Sequence, residues 1–145
     1  MKVSTKFFGE LEVQDKDIVF FEDGIPGFKE HSRYALIHDG ESDFSYLQSV
    51  DTQNICFILV PPAVIIGNYD IEVSEDTVEK LEIEKEEYVS LYTILTIPED
   101  INNMTANLKA PIVINMKNNK GKQEILDDDR YEIRHKVIKE ADASC

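Results

Sequence analysis

Tryptophan is absent, cysteine occurs twice, and positive charge is scarce: 15 Lys and Arg face 29 Asp and Glu in 145 residues. Each shortage excludes something. Two cysteines do not build a disulfide framework. Cys56 lies in the apolar run Ile55–Val60 and reads as an inert core thiol, while Cys145 is the last residue. That usage suits a reducing compartment, the cytoplasm, better than secretion. The shortage of cations leaves a net charge of −14 and a pI near 4.5. Such a field repels a phosphate backbone and an anionic membrane, so neither nucleic acid nor membrane is expected as a direct partner. A basic protein surface would be attracted.

Long hydrophobic runs are missing too. The longest, Ile55–Ile66, is 12 residues and is interrupted by Pro61-Pro62, whereas a membrane-spanning helix needs about 20. The opening Met1-Lys2-Val3-Ser4-Thr5-Lys6 lacks the apolar stretch of a signal peptide. Histidine is sparse, and His31, His38 and His135 stand in no nucleophile or zinc motif, so they read as turn or surface residues. Asp127-Asp128-Asp129 lacks calcium-loop spacing and reads as a solvated turn. No residue is assigned as catalytic, cofactor-binding or metal-ligating, and no enzyme activity or cofactor is expected.

What the chain does contain is a succession of short strand patterns. Val3–Phe8, Leu11–Val13, Ile18–Phe21, Tyr34–Ile37 and Phe44–Val50 are separated by turn residues. Ile55–Val60 is apolar throughout, the pattern of a strand covered on both faces, and Pro61-Pro62 ends it. After one short helix the pattern resumes with Tyr88–Ile97, Met104–Leu108, Pro111–Met116, Lys122–Leu126 and Tyr131–Ile138. Asn118-Asn119-Lys120-Gly121 marks a hairpin turn. Many short strands with one brief helix predict a mainly β, antiparallel barrel or sandwich. The chain reads as a single domain over residues 1–138, followed by a flexible tail at 139–145. Gly24-Ile25-Pro26-Gly27-Phe28 is not a phosphate loop, because it lacks the Lys-Ser/Thr ending and sits beside Glu22 and Asp23. Pro26 suits the second position of a type II turn and Gly27 the third, leaving Phe28 to anchor the loop in the core.

The helix is predicted over Glu75–Leu81, with Ser74 as N-cap and Glu75 and Asp76 in its first turn. It sits in the most acidic stretch of the chain. Asp70, Glu72, Glu75, Asp76, Glu79, Glu82, Glu84, Glu86 and Glu87 are opposed only by Lys80 and Lys85, a local charge of −7. Glu75, Glu79 and Glu82 at i, i+4 and i+7 would share one helix face. Like charges at that spacing cost helix stability, whereas stabilising surfaces alternate signs. The pattern points to a docking patch for Lys and Arg, centred on Glu72, Glu75, Asp76 and Glu79. An ordinary solvated face is the plainer reading.

Several segments in order carry a family resemblance: Gly24-Ile25-Pro26-Gly27-Phe28, Tyr46-Leu47-Gln48-Ser49-Val50-Asp51 and Phe57-Ile58-Leu59-Val60-Pro61-Pro62. They are followed by Thr105-Ala106-Asn107-Leu108-Lys109-Ala110-Pro111-Ile112-Val113-Ile114-Asn115, then Gln123, Tyr131 and Arg134-His135. Over residues 3 to 138 this order and spacing closely resembles the bacterial flagellar assembly factor FliW family. Ile25, Pro26, Gly27, Phe28, Asn107, Pro111 and Asn115 are the structural positions of that motif set. The resemblance implies a small antiparallel β-barrel-like domain with one or two short helices. It implies two protein partners, flagellin awaiting export and the RNA-binding translational regulator CsrA, which the free factor inhibits to relieve repression of flagellin synthesis. A monomer is expected when no partner is bound. Two readings of other classes remain: a small-barrel enzyme acting on a sugar or nucleotide, and an acidic nucleic-acid mimic.

Overall fold

A computed structural model describes residues 1–138, so the tail expected at 139–145 lies outside the described residues. Strands β1 (Lys2–Ser4) and β2 (Glu10–Glu12) form a separate hairpin. Then come β3 (Ile18–Phe20), β4 (Arg33–His38), β5 (Ser45–Ser49) and β6 (Cys56–Val60), with α1 (Pro62–Ile65) and α2 (Glu75–Lys80) after them. The chain continues through β7 (Val89–Thr96), β8 (Thr105–Ala106), β9 (Ile112–Asn115), β10 (Lys120–Gln123) and β11 (His135–Lys136).

Seven strands close on themselves in the order β7–β6–β5–β4–β3–β10–β9, with β9 returning to β7. Closure removes the exposed edges that an open sheet must protect. Every pairing in the ring is antiparallel except β3–β10, a parallel contact with Lys120 opposite Phe20. There the Phe20 N–H donates to the Asn119 carbonyl at 2.8 Å. The mainly β, barrel-like class predicted from sequence is the class observed.

Alternation fills the barrel, because successive side chains on a strand point to opposite faces. Val19, Phe21, Tyr34, Leu36, Leu47, Leu59, Tyr92, Ile112 and Ile114 pack together inside, with Phe21 and Tyr34 edge to face at 5.3 Å. The outer wall is covered in patches. The β1–β2 hairpin lays Val3 on Ala35, and Ile65 of α1, Met104 before β8 and Val137 after β11 pack against Val60, Leu95 and Ala106. Strand β6 is thus covered on both sides, the reason its sequence is apolar throughout. A further cluster forms where Leu108, Leu126 and Tyr131 meet Tyr69 and Ile71. Here the Tyr69 hydroxyl donates to the Leu108 carbonyl at 2.6 Å, and the Tyr131 hydroxyl accepts the Asp70 N–H at 2.9 Å.

Several local expectations are corrected. The Val3–Phe8 strand stops at Ser4, because Thr5 closes a turn through its N–H and hydroxyl to the Gly9 carbonyl, at 2.8 and 2.6 Å. Pro62 does more than end β6: its φ also suits the first position of a helix, and α1 follows. At the β9–β10 hairpin the positive φ belongs to Asn119, at 58°. Gly121 instead lies within β10, where a Cβ would come within 2.7 Å of the buried Phe21 ring. The run Tyr131–Ile138 pairs only at His135 and Lys136. His135 is half-buried in β11, with an Nε2 that is enclosed and lacks a hydrogen-bond partner, and is neither a turn nor an open-surface residue. In the Ile25–Phe28 turn, the Phe28 N–H donates to the Ile25 carbonyl at 2.7 Å and Gly27 adopts φ 89°, as a type II turn requires. The anchor is Ile25, 2% exposed, while Phe28 is 38% exposed and stacks edge-on against Phe57.

Candidate docking surface

Helix α2 spans six residues and owes its position to hydrogen bonds at both ends. At its start the Thr77 N–H donates to Ser74 Oγ at 3.2 Å, the cap expected from sequence. The Ser74 hydroxyl and N–H in turn donate to the carboxylate of Glu124, which is 7% exposed, at 3.3 and 3.4 Å. At its end, Asn115 Nδ2 donates to the Leu81 and Glu82 carbonyls at 2.9 and 3.3 Å, and Asn118 Nδ2 reaches Leu81 at 3.0 Å. Helix ends leave carbonyls without intrahelical partners, and these two amides supply them. Thr77 and Leu81 turn inward and are buried.

The hairpin that holds α2 also brings lysines to it. Gly121 faces into the barrel, so Lys120 and Lys122 on either side of it face out. Lys122 meets Asp76 at 3.0 Å and Lys120 meets Glu82 at 2.7 Å. Lys117 lies 3.4 Å from Glu84, and Lys80 bridges Asp23 and Asp76 at 3.1 and 3.6 Å. Counting Lys117, Lys120 and Lys122, the local charge of the stretch falls from −7 to −4. The Lys122 hydrogen bond and the charge of Lys80 hold the Asp76 carboxyl below its ordinary range, and Lys120 does the same for Glu82. These exposed carboxyls are driven toward the ionised form, the opposite of the raised value an acid catalyst needs.

The four predicted centre residues therefore separate. Asp76 is engaged by two lysines. Among the described residues, Glu72, Glu75 and Glu79 make no ion pair, and all three are exposed. Glu82 does not continue the Glu75–Glu79 face: it lies past the helix end with φ 53° and turns to Lys120. Glu72 also rims a groove of about 550 Å³ together with Asp70 and Glu86. Ile71, Val73, Val78, Ile83, Val89 and Leu91 line the rest of it.

The motif residues serve as scaffold. Asn107 Oδ1 accepts the Ala110 N–H at 3.0 Å, and the buried Pro111 offers its carbonyl to the Glu124 N–H at 2.9 Å. Asn115 ties the end of α2 to the barrel. Sequence reading missed Glu124, Asn118 and the three hairpin lysines as parts of this surface. The i, i+2 spacing of Lys120 and Lys122 on a strand was the one available sign that they share a face.

A closed, mostly antiparallel barrel carrying a charged helix beside a groove defines a small β scaffold. The model of the FliW protein family matches residues 2–137. The chain is 44% identical over 142 residues to the flagellar assembly factor FliW of Thermoanaerobacter pseudethanolicus, covering 97% of this chain and 95% of that protein. To that of Geobacillus kaustophilus it is 43% identical over 140 residues, with 97% of each chain covered. A crystal structure of the flagellar assembly factor FliW aligns with a TM-score of 0.90 at 42% identity, covering 97% of this chain and 99% of that one. The chain belongs to the FliW family of flagellar assembly factors. Among the described residues, no helix is long and apolar enough to cross a membrane.

Proposed function

We propose that this protein acts as a cytoplasmic monomer that binds flagellin before export. When free of flagellin, it binds and inhibits a CsrA-type translational regulator, which relieves repression of flagellin synthesis. Family membership supports the role in flagellar assembly. The observation that carries the regulator contact is the set of exposed carboxylates Glu72, Glu75 and Glu79, which have no lysine partner among the described residues, whereas Asp76, Glu82 and Glu84 are paired with lysines. A basic regulator surface completes those charges, which raises the rate of encounter and favours this partner over neutral ones. Once docked, the carboxylates repel approaching RNA over about a Debye length, roughly 8 Å at physiological salt.

The test is calorimetric titration of the triple variant E72Q/E75Q/E79Q against the regulator, with flagellin as control. Asp76 is left intact because its carboxylate fastens α2 to β10. Exposed charge pairs are worth about 0.5 kcal/mol each, so regulator affinity is expected to fall roughly tenfold, with a weaker salt dependence. Unchanged regulator affinity would remove the proposal.

A further inference from the structure

Glycine follows aspartate twice in the chain, at Asp23-Gly24 and Asp39-Gly40, and follows asparagine nowhere. A glycine in that position leaves its backbone nitrogen unshielded by a side chain, so the nitrogen can attack the aspartate carboxyl carbon and close a five-membered succinimide. The fold treats the two sites differently. Gly24 is buried, its N–H donates to the Phe21 carbonyl at 3.0 Å, and a Cβ there would come within 2.6 Å of Lys29 Cα. The Asp23 carboxylate is held by Lys80 at 3.1 Å. Neither reacting group at that site is free to move.

Asp39 and Gly40 open the turn from β4 to β5, and residues 39–43 are all exposed. Among the described residues, the Gly40 N–H has no acceptor and the Asp39 carboxylate has neither a hydrogen bond nor an ion pair. The restraints lie on the Asp39 backbone. Its N–H donates to the Phe44 carbonyl at 3.1 Å, and its carbonyl accepts the Ser42 N–H and hydroxyl at 2.9 and 3.0 Å. Hydrogen bonds at an exposed turn open locally without disturbing the barrel. We propose that Asp39-Gly40 is the site at which this protein isomerises to isoaspartate, through a succinimide formed in the folded state. In the first step the Gly40 nitrogen bonds to Asp39 Cγ, and the carboxyl hydroxyl leaves with the amide proton as water. Water then adds at either ring carbonyl. Opening at Cγ restores aspartate. Opening at the main-chain carbonyl breaks its bond to the Gly40 nitrogen and routes the backbone through Cγ. The product gains one backbone methylene, and the carbonyl that held Ser42 becomes a free carboxylate. Methylation of that carboxylate by a sulfonium donor is the class of reaction that consumes the product, because loss of methanol from the ester re-forms the succinimide.

The test is to age the whole chain for weeks at neutral pH and physiological temperature, folded and in urea, and to locate isoaspartate by electron-transfer fragmentation of its peptides. In the folded protein the yield at Asp39 is expected to exceed that at Asp23 roughly tenfold, because ring closure at Asp23 first requires loss of a backbone hydrogen bond and an ion pair. In urea, where both sites are free, the two yields are expected to converge. Equal yields in the folded protein, a larger yield at Asp23, or isoaspartate at Asp39 appearing only in urea overturns the proposal. Methyl transfer from labelled S-adenosylmethionine by an isoaspartyl carboxyl methyltransferase counts the same groups independently. Asp39→Glu is expected to remove most of that label from the aged folded protein, because a glutamate would have to close a six-membered ring, which forms more slowly. Label that persists in this variant overturns the proposal as well.

Discussion

Cys56 sits at the head of β6, opposite Gln48, and is half-buried. Burial pushes the thiol up to about 11, and the nearby Lys6 charge opposes the shift without cancelling it. The thiolate is the reactive species, so a rise from 9.0 to about 11 leaves roughly a hundredfold less of it at pH 8. Alkylation of Cys56 at pH 8, followed by peptide mapping, is expected to run about a hundredfold slower in the native protein than in urea. The native rate should climb as pH rises toward 11, because deprotonation creates the nucleophile. Equal rates in both conditions would contradict the inert role. The six-residue apolar run around the cysteine pointed to a core position, whereas the structure leaves Cys56 half-buried at the end of the strand.

At the scale of the element, α2 shows what holds a six-residue helix together. Isolated helices that short do not persist in water, and like charges at Glu75 and Glu79 weaken it further. Ser74 caps one end, Asn115 and Asn118 cap the other, and Glu124 fastens the cap to the barrel. Asn115→Ala leaves the Leu81 carbonyl dependent on Asn118 alone and the Glu82 carbonyl without its amide donor. The expected cost is about 1–3 kcal/mol by urea denaturation, with amide exchange faster in residues 77–83 than in β4. A variant as stable and as protected as the parent would show that Asn115 does not position the helix. Ser74 as cap was readable, because the helix signal follows it directly. Asn115 and Glu124 were not readable as partners, because their contacts with α2 span 34 and 50 residues of sequence.

The molecule as a whole depends on one unusual seam. Six of the seven barrel contacts are antiparallel, and the parallel β3–β10 contact closes the ring where Phe21 lies over Gly121. Any side chain at Gly121 meets that ring, and interior overpacking typically costs about 1–3 kcal/mol. Gly121→Ala is expected to lose that much stability in a denaturant titration, and most of the loss should vanish in a Phe21→Leu background. A loss of equal size in both backgrounds would point away from the ring. The same seam carries Lys120 and Lys122 to α2, so barrel closure also sets the charge of the docking surface.

The sequence by itself determined the succession of short strands, the helix after Ser74 with its capped start, and the concentration of acid around it. It also carried the family resemblance. All of these are properties of neighbours along the chain: period-two alternation, turn residues, a cap beside the residues it caps. Tertiary structure decided which carboxylates remain available. Asp76 and Glu82 find lysines 46 and 38 positions away, and Glu72, Glu75 and Glu79 find none among the described residues. It also decided that Val78 looks into a groove and that Gly121 yields space to Phe21 in place of making a turn. The physical reason is range. Local geometry is set within a few residues, whereas an ion pair or a steric contact depends on where barrel closure brings distant strands together.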